Sequence, residues 1–266
     1  MTQAPMTQAD DTSYRLRLAT EAADLEGAQR LRYRVFVQEL GAEGPLVDHD
    51  ARLERDEYDP YFDHLILVDT RIDPATRDHV VGAYRLLTSE KMRALGRFYS
   101  ASEYDLAPLI ASNRRLLELG RTCVHPDHRG GASMFLLWNG LAEYVLERGV
   151  EVLFGAASFH GTDVQALAEP LSYLYHHHLS PPEARVRALP PGRAEMNLLP
   201  QDRLSRPAAM AAMPALIKAY LRLGGSVGDG AYIDRAFNTT DVCLVMDTGR
   251  MSARHRDFYT RKKAPA

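Results

Sequence analysis

Glu118 and Arg121 stand three residues apart in Leu116-Leu-Glu-Leu-Gly-Arg-Thr-Cys-Val124, an apolar run that leads into His125-Pro-Asp-His-Arg-Gly-Gly-Ala132. The first stretch reads as a strand. The second is a glycine turn that opens a long amphipathic helix, so its backbone N–H groups can be presented to a phosphate at a helix N-terminus. An inward glutamate and an arginine delivered beside a phosphate loop make the layout of an acyl-transfer site.

The elements that position these residues follow from periodicity. Tyr14 to Thr20 alternates like a half-buried strand, and a helix capped by Thr20 or Asp24 is expected from about Leu25 to Leu40, ended by Gly41. His64 to Asp69 and Val80 to Leu87 are β-rich runs separated by Asp73-Pro74, and Ser89 to Leu95 reads as a short helix. Ala132 to Arg148 carries a broad apolar face that includes Phe135, Leu136, Trp138, Leu141 and Val145. Val152 to Phe154 reads as a strand, and the turn Ser158-Phe-His-Gly-Thr-Asp163 precedes a helix reaching His178. Beyond it, Ala184 to Ala188, Ala231 to Ile233 and Val242 to Met246 read as strands, and Pro207 to Leu223 as a partly buried helix. The order βαββαβαβ plus an extension predicts an α/β fold: a mixed central sheet with helices on both faces and a C-terminal α/β extension.

The expected division is a disordered tail over 1–13, one enlarged domain over 14–256 and a basic tail over 257–266. Within the domain, 14–180 is the acyl-transfer core and 181–256 the extension. A chain of 266 residues with a formal charge of −3 gives no support to nucleic-acid binding, which calls for a strongly basic face. Two cysteines, Cys123 and Cys243, make no disulfide framework, and residues 1–14 lack the apolar run of a secretion signal, so a cytoplasmic protein is expected. No metal is expected. His176-His177-His178 are consecutive, and helical neighbours fan out by about 100° each, so they cannot converge on one ion.

The ordered blocks carry a resemblance. Arg32-Tyr-Arg-Val-Phe36, Asp56-Glu-Tyr-Asp59, Val81-Gly-Ala-Tyr-Arg85, Glu118-Leu-Gly-Arg121, Val124-His-Pro-Asp-His-Arg-Gly130, Ser158-Phe-His-Gly-Thr-Asp163 and Phe237-Asn-Thr-Thr-Asp241 follow one another along the chain. In these blocks the chain resembles the GNAT superfamily of N-acyltransferases. Within that superfamily it is similar to the L-ornithine N-alpha-acyltransferases, which form lyso-ornithine lipid from acyl carrier protein thioesters. The N-terminal two-thirds is also similar to the acyl-homoserine-lactone synthases, which share Arg32, Phe36, Asp56, Asp59, Arg85, Glu118 and Arg121. That similarity leaves S-adenosylmethionine as an alternative acceptor. Gly41-Ala42, and a Gly228 to Asp241 block lying beyond the usual end of those synthases, favour ornithine. A non-catalytic acyl-carrier or lipid-binding module is the other alternative, and the presence of Glu118, the glycine loop and both arginines argues against it.

The resemblance implies roles. An ammonium has no lone pair with which to attack a thioester, so Glu118, desolvated among leucines, is the expected general base, with Arg121 beside it. A salt bridge between those two is the structural alternative. Strand N–H groups near Thr122 to Val124 are the expected oxyanion donors. Arg32 or Arg85 fits the acceptor's carboxylate, Asp56, Asp59 or Asp241 its distal ammonium, and Phe36 completes the substrate site. An internal network of these arginines and aspartates is the alternative. His128, Arg129, Gly130, Gly131 and Ala132 are the expected phosphopantetheine-binding loop. Where coenzyme A enzymes commonly carry glutamine or arginine, Asp127 stands here, which favours the single phosphate of a carrier protein's arm. No bound cofactor is implied. Cys123 with His125 suggests a thiol nucleophile, but direct attack by an amine needs no acyl-enzyme. The acidic carrier protein calls for a positive patch, with Lys91, Arg93, Arg97, Arg114 and Arg115 as first choices. The Pro207 to Leu223 helix is a candidate for peripheral membrane contact or an acyl channel wall.

Overall fold

Strands buried along most of their length build one mixed nine-stranded sheet with helices on both faces. A computed structural model describes residues 13–250, and the expected basic tail lies outside them, as does the N-terminal tail apart from Ser13. In chain order the strands are β1 (Tyr14–Leu18), β2 (Val47–Asp48), β3 (Leu53–Glu54), β4 (Asp63–Asp69), β5 (Val80–Thr88), β6 (Tyr104–Asp105) and β7 (Leu116–Val124). They continue with β8 (Val152–His160), β9 (Arg187–Ala188), β10 (Arg193–Ala194), β11 (Ser226–Val227), β12 (Ala231–Asp234) and β13 (Thr239–Asp247). The main sheet runs β1-β4-β5-β7-β8-β13-β12-β10, with β11 also on β13; β2 pairs with β3 and β6 with β9 outside it. Of the expected Ala184 to Ala188 strand only β9 forms, and it lies outside the main sheet.

The helices are α1 (Ala22–Arg32), α2 (Ser89–Leu95), α3 (Ala107–Ala111), α4 (Gly131–Glu147), α5 (Ala168–His178), α6 (Arg206–Ala212) and α7 (Ala215–Arg222). Successive strand side chains point to opposite faces. Accordingly Leu65 and Leu67 of β4 pack with Leu137, Leu141 and Tyr144 of α4, while Ile66 and Val68 join Ala28 and Leu31 of α1.

Three expectations are corrected. The first helix stops at Arg32 and continues as a wider π-helical turn over Tyr33–Glu39, with the Leu40 N–H reaching the Val35 carbonyl at 3.2 Å. Its N-cap is Glu21; Asp24, in the first turn, accepts the backbone N–H groups of Thr20 and Glu21. The Pro207 to Leu223 helix is broken at Met213-Pro214, because proline has no N–H to donate and disfavours a helical residue before it. Strand β8 does not end at Phe154: Ser158 and Phe159 pair with Asp241 and Thr240 of β13, so the first half of the expected turn is strand.

Candidate acyl-transfer site

Strands β7 and β8 run parallel for three residue pairs, Leu116↔Val152, Leu117↔Leu153 and Glu118↔Phe154, and then part. Gly155 marks the parting. A Cβ there would sit 2.1 Å from the Leu119 carbonyl oxygen, so only glycine lets the strands approach before they splay. The splay is the floor of a cavity of about 230 Å³, walled by residues that include Phe36, Arg85, Tyr99, Glu103, Glu118, Arg121, Ser158 and Asp241.

Glu118 is buried in this wall at 1% exposure. Its two oxygens accept the backbone N–H groups of Tyr99 and Ser100 at 2.8 and 2.7 Å. Burial pushes its pKa up, and those N–H donors and the Arg85 guanidinium pull the other way. The alternative of a Glu118–Arg121 salt bridge is not what forms, because Arg121 turns to other acids.

Arg121 owes its direction to a β-bulge. The β5–β7 register passes from Ala83↔Cys123 to Arg85↔Gly120, so Arg121 and Thr122 together oppose one residue. Arg121 takes φ +49°, a left-handed conformation uncommon outside glycine. Its guanidinium meets Glu54 at 3.1 Å, Asp56 at 3.7 Å and the Tyr99 hydroxyl at 3.1 Å, between the rings of Tyr99 and Phe237.

Arg121 is one member of a network of three arginines and three carboxylates. Arg32 pairs with Glu54 at 2.5 Å and Asp59 at 2.7 Å; Arg85 pairs with Asp56 at 2.7 Å and Asp59 at 3.0 Å. Burial alone would raise Asp59, but the Arg32 and Arg85 guanidinium groups hold it well below the usual carboxylate range. Arg32, Asp56 and Asp59 do not line the cavity, and each is engaged within the network. Arg85 does line it, with Nε lacking a hydrogen-bond partner and the guanidinium stacked 4.4 Å over Phe62. Glu54, which completes the charge balance, carried no motif in the sequence.

Phe36 reaches the cavity from the π-helical turn and meets Phe237 edge-on, with ring centroids 6.0 Å apart. Asp241 enters from β13, and burial pushes its pKa up to about 6. Sequence reasoning missed Glu103. It lines the same cavity, and burial together with the carboxylates of Asp241 and Asp234 pushes it up to about 8. Set among Ser102, Tyr104 and Asp105, it belongs to no periodicity or motif that would have flagged it.

The glycine loop forms as expected. Gly130, at φ +95°, is the N-cap of α4, and no side chain caps that end. Arg129 makes a two-pronged pair with Glu39 at 2.6 and 2.5 Å, and His128 Nδ1 lies 2.9 Å from the Tyr14 hydroxyl. The Asp127 side chain is 85% exposed. Cys123 faces the α1 side of the sheet in the core, and burial pushes its thiol up to about 12, which removes it as a nucleophile. Arg114 and Arg115 are held by Glu151 and Asp247 beside the start of β7, the far end of that strand from the glycine loop.

A parting pair of parallel strands, a buried glutamate at the split and an uncapped glycine turn define an acyltransferase of the GNAT fold. The model of the acetyltransferase (GNAT) domain matches residues 31–139. The coenzyme-A-dependent acyl-homoserine lactone synthase BjaI, solved with SAM and isopentyl-CoA, shares the fold at a TM-score of 0.50 and 16% identity, over 90% of this chain and 81% of that one. The L-ornithine N(alpha)-acyltransferase of Rhodobacter capsulatus is 60% identical over 250 residues, 94% of this chain and 96% of that protein. That of Brucella abortus is 42% identical over 93% of this chain and 89% of its own length. The chain belongs to the L-ornithine N(alpha)-acyltransferase family.

Proposed function

We propose that the protein transfers a 3-hydroxy fatty acyl group from the phosphopantetheine thioester of acyl carrier protein to the α-amine of L-ornithine, giving lyso-ornithine lipid. The observation that carries this reading is Glu118, a desolvated carboxylate free of any cation partner among the described residues, placed where β7 and β8 part. Glu118 takes a proton from the α-ammonium, directly or through one water. The freed nitrogen attacks the thioester carbonyl; a C–N bond forms, the C–S bond breaks, and the thiolate leaves on the carrier arm and is protonated. Arg121 and Thr122 lie outside the β5–β7 ladder at the bulge, and their N–H groups are our choice for the oxyanion.

Arg121, at the cavity wall, takes the ornithine carboxylate in this reading, because Arg32 is sealed in the network. The phosphate of the arm docks on the loop of His128 to Ala132 at the N-terminus of α4. The acyl chain follows apolar space. A small cavity shares Leu119, Thr122 and Leu216 with the main one, and Leu153, Tyr220 and Met246 with a third cavity of about 350 Å³ against Trp138, Leu141 and Val145. Release of a single-chain amphiphile fits a cytoplasmic enzyme in peripheral contact with the membrane. No helix among the described residues is long and apolar enough to cross one.

The test is incubation of purified protein with 3-hydroxyacyl carrier protein and L-ornithine, followed by mass spectrometry. Acylornithine modified at the α-nitrogen is the expected product. Acylation of S-adenosylmethionine in its place, or no product, overturns the reading.

A further inference from the structure

Two acids of the main cavity, Glu103 and Asp241, pair with no cation among the described residues. Glu103 Oε2, Asp241 Oδ1 and Thr239 Oγ1 are buried and have no hydrogen-bond partner among the described residues. All three residues line the main cavity, where Glu103 is 7% and Asp241 5% exposed. The cations on the same cavity pair with other acids and not with these: Arg85 with Asp56 and Asp59, and Arg121 with Glu54 and Asp56. A buried carboxylate without a partner is costly and takes up a proton instead, so two such acids on one cavity wall suit a ligand that brings its own positive charge.

The backbone that carries these acids is tied down. The Glu103 N–H donates to the Ser100 carbonyl at 3.0 Å, and its own carbonyl accepts the Leu189 N–H at 2.8 Å, which pins the backbone on both sides. Next to it, the Tyr104 hydroxyl donates to the Asp241 carbonyl at 2.9 Å, tying the two acid-bearing segments together. Asp241 and Thr239 are two apart on β13 and therefore share a face of the sheet. The Ser158 and Thr239 side chains also act on Asp241 and lower its pKa against burial, and the oxygens left over are acceptors of the kind a primary ammonium needs.

We propose that Glu103, Asp241 and Thr239 form the subsite for the distal ammonium of the acceptor, making the enzyme selective for diamino acids over amino acids with neutral side chains. The assignment rests on the acceptor reading given under Proposed function. It holds the side-chain amine charged, and so non-nucleophilic, at the acidic wall while the α-amine faces Glu118. Two amines of one substrate are distinguished by which carboxylates surround them. An amino acid with a neutral side chain would leave two buried acids unpaired, a penalty that binding sites convert into large discrimination.

The test compares L-ornithine with L-norvaline, which has the same carbon chain and no distal amine. Wild-type protein is expected to favour ornithine at least about 100-fold in kcat/KM, and Glu103→Gln with Asp241→Asn to lower that ratio at least about tenfold, read as a rise in KM for ornithine with KM for the acyl donor held. Should the double variant fail to fold, Glu103→Gln alone carries the comparison, since it keeps the side-chain shape. A ratio near one in the wild type, or variants that slow both acceptors equally, overturns the subsite while the acyltransferase reading stands. A wild type that acylates neither acceptor overturns that reading and the subsite with it.

Discussion

Glu118 and Arg121 lie three residues apart on one strand and do not pair: Tyr99 serves both, giving its backbone N–H to the glutamate and accepting from the guanidinium through its hydroxyl. The separation matters chemically. A glutamate bound to an arginine is a poor base, whereas one held by two amides keeps its orientation while burial raises its affinity for a proton.

Glu118→Gln is therefore expected to lower kcat by about 10²–10⁴, the usual worth of a positioned general base. The deficit should shrink as pH rises above about 8, where an α-amine sheds its own proton. Single-turnover rates from pH 6 to 10 check this. A constant deficit across that range would assign Glu118 a purely structural role.

Arg121→Lys removes the fork that reaches Glu54 and the Tyr99 hydroxyl together. KM for ornithine should rise at least about tenfold while KM for the acyl donor changes little. Steady-state kinetics with each substrate varied in turn would show the split, and equal changes in both constants would count against a carboxylate role.

Arg32→Ala leaves Glu54 and Asp59 facing each other's charge in the interior with one guanidinium gone. Breaking a buried pair costs about 3–5 kcal/mol, and a domain of this size loses roughly 2–4 °C of Tm per kcal/mol. Differential scanning calorimetry should register a fall of about 10 °C; a shift under about 2 °C would mean that the network contributes little to stability.

Glu103 makes stability depend on pH in a set direction. Its folded pKa, about 8, exceeds the ordinary carboxylate value of 4.5, so the folded state binds the extra proton and wild-type stability falls as pH rises from about 4.5 to 8. Glu103→Gln lacks this loss. Its Tm relative to wild type should climb across that window and level off above it, and ornithine should narrow the gap by stabilising the wild type. A pH-independent difference in melting temperature would show that Glu103 is ordinarily ionised in the folded protein.

Much of this was legible in local pattern. The runs at Leu116 to Val124 and Val80 to Leu87 alternate or stay apolar because both faces of those strands are covered, and Gly130 announces the start of α4. Long-range pairing was not. The Ser158-Phe-His-Gly block carries turn-like residues, and only β13, some eighty positions later, makes its first half a strand. The amides that hold Glu118 come from backbone at Tyr99 and Ser100, which no side-chain motif encodes. Glu54 and Glu103 acquire their meaning from arginines and acids distant in sequence. The π-helical turn that delivers Phe36 looks like ordinary helix in composition, and the proline that divides α6 from α7 was visible but outweighed by the apolar pattern around it.

Strand β13 enters the sheet between β8 and β12 although it is the last strand of the described chain. A nascent polypeptide still lacking residues 239–247 would carry the glutamate and the glycine loop but neither Asp241 nor the wall it belongs to. A frameshift or proteolytic cut before Thr239 therefore yields a molecule whose β8 and β12 have lost the strand between them and whose cavity has lost one wall.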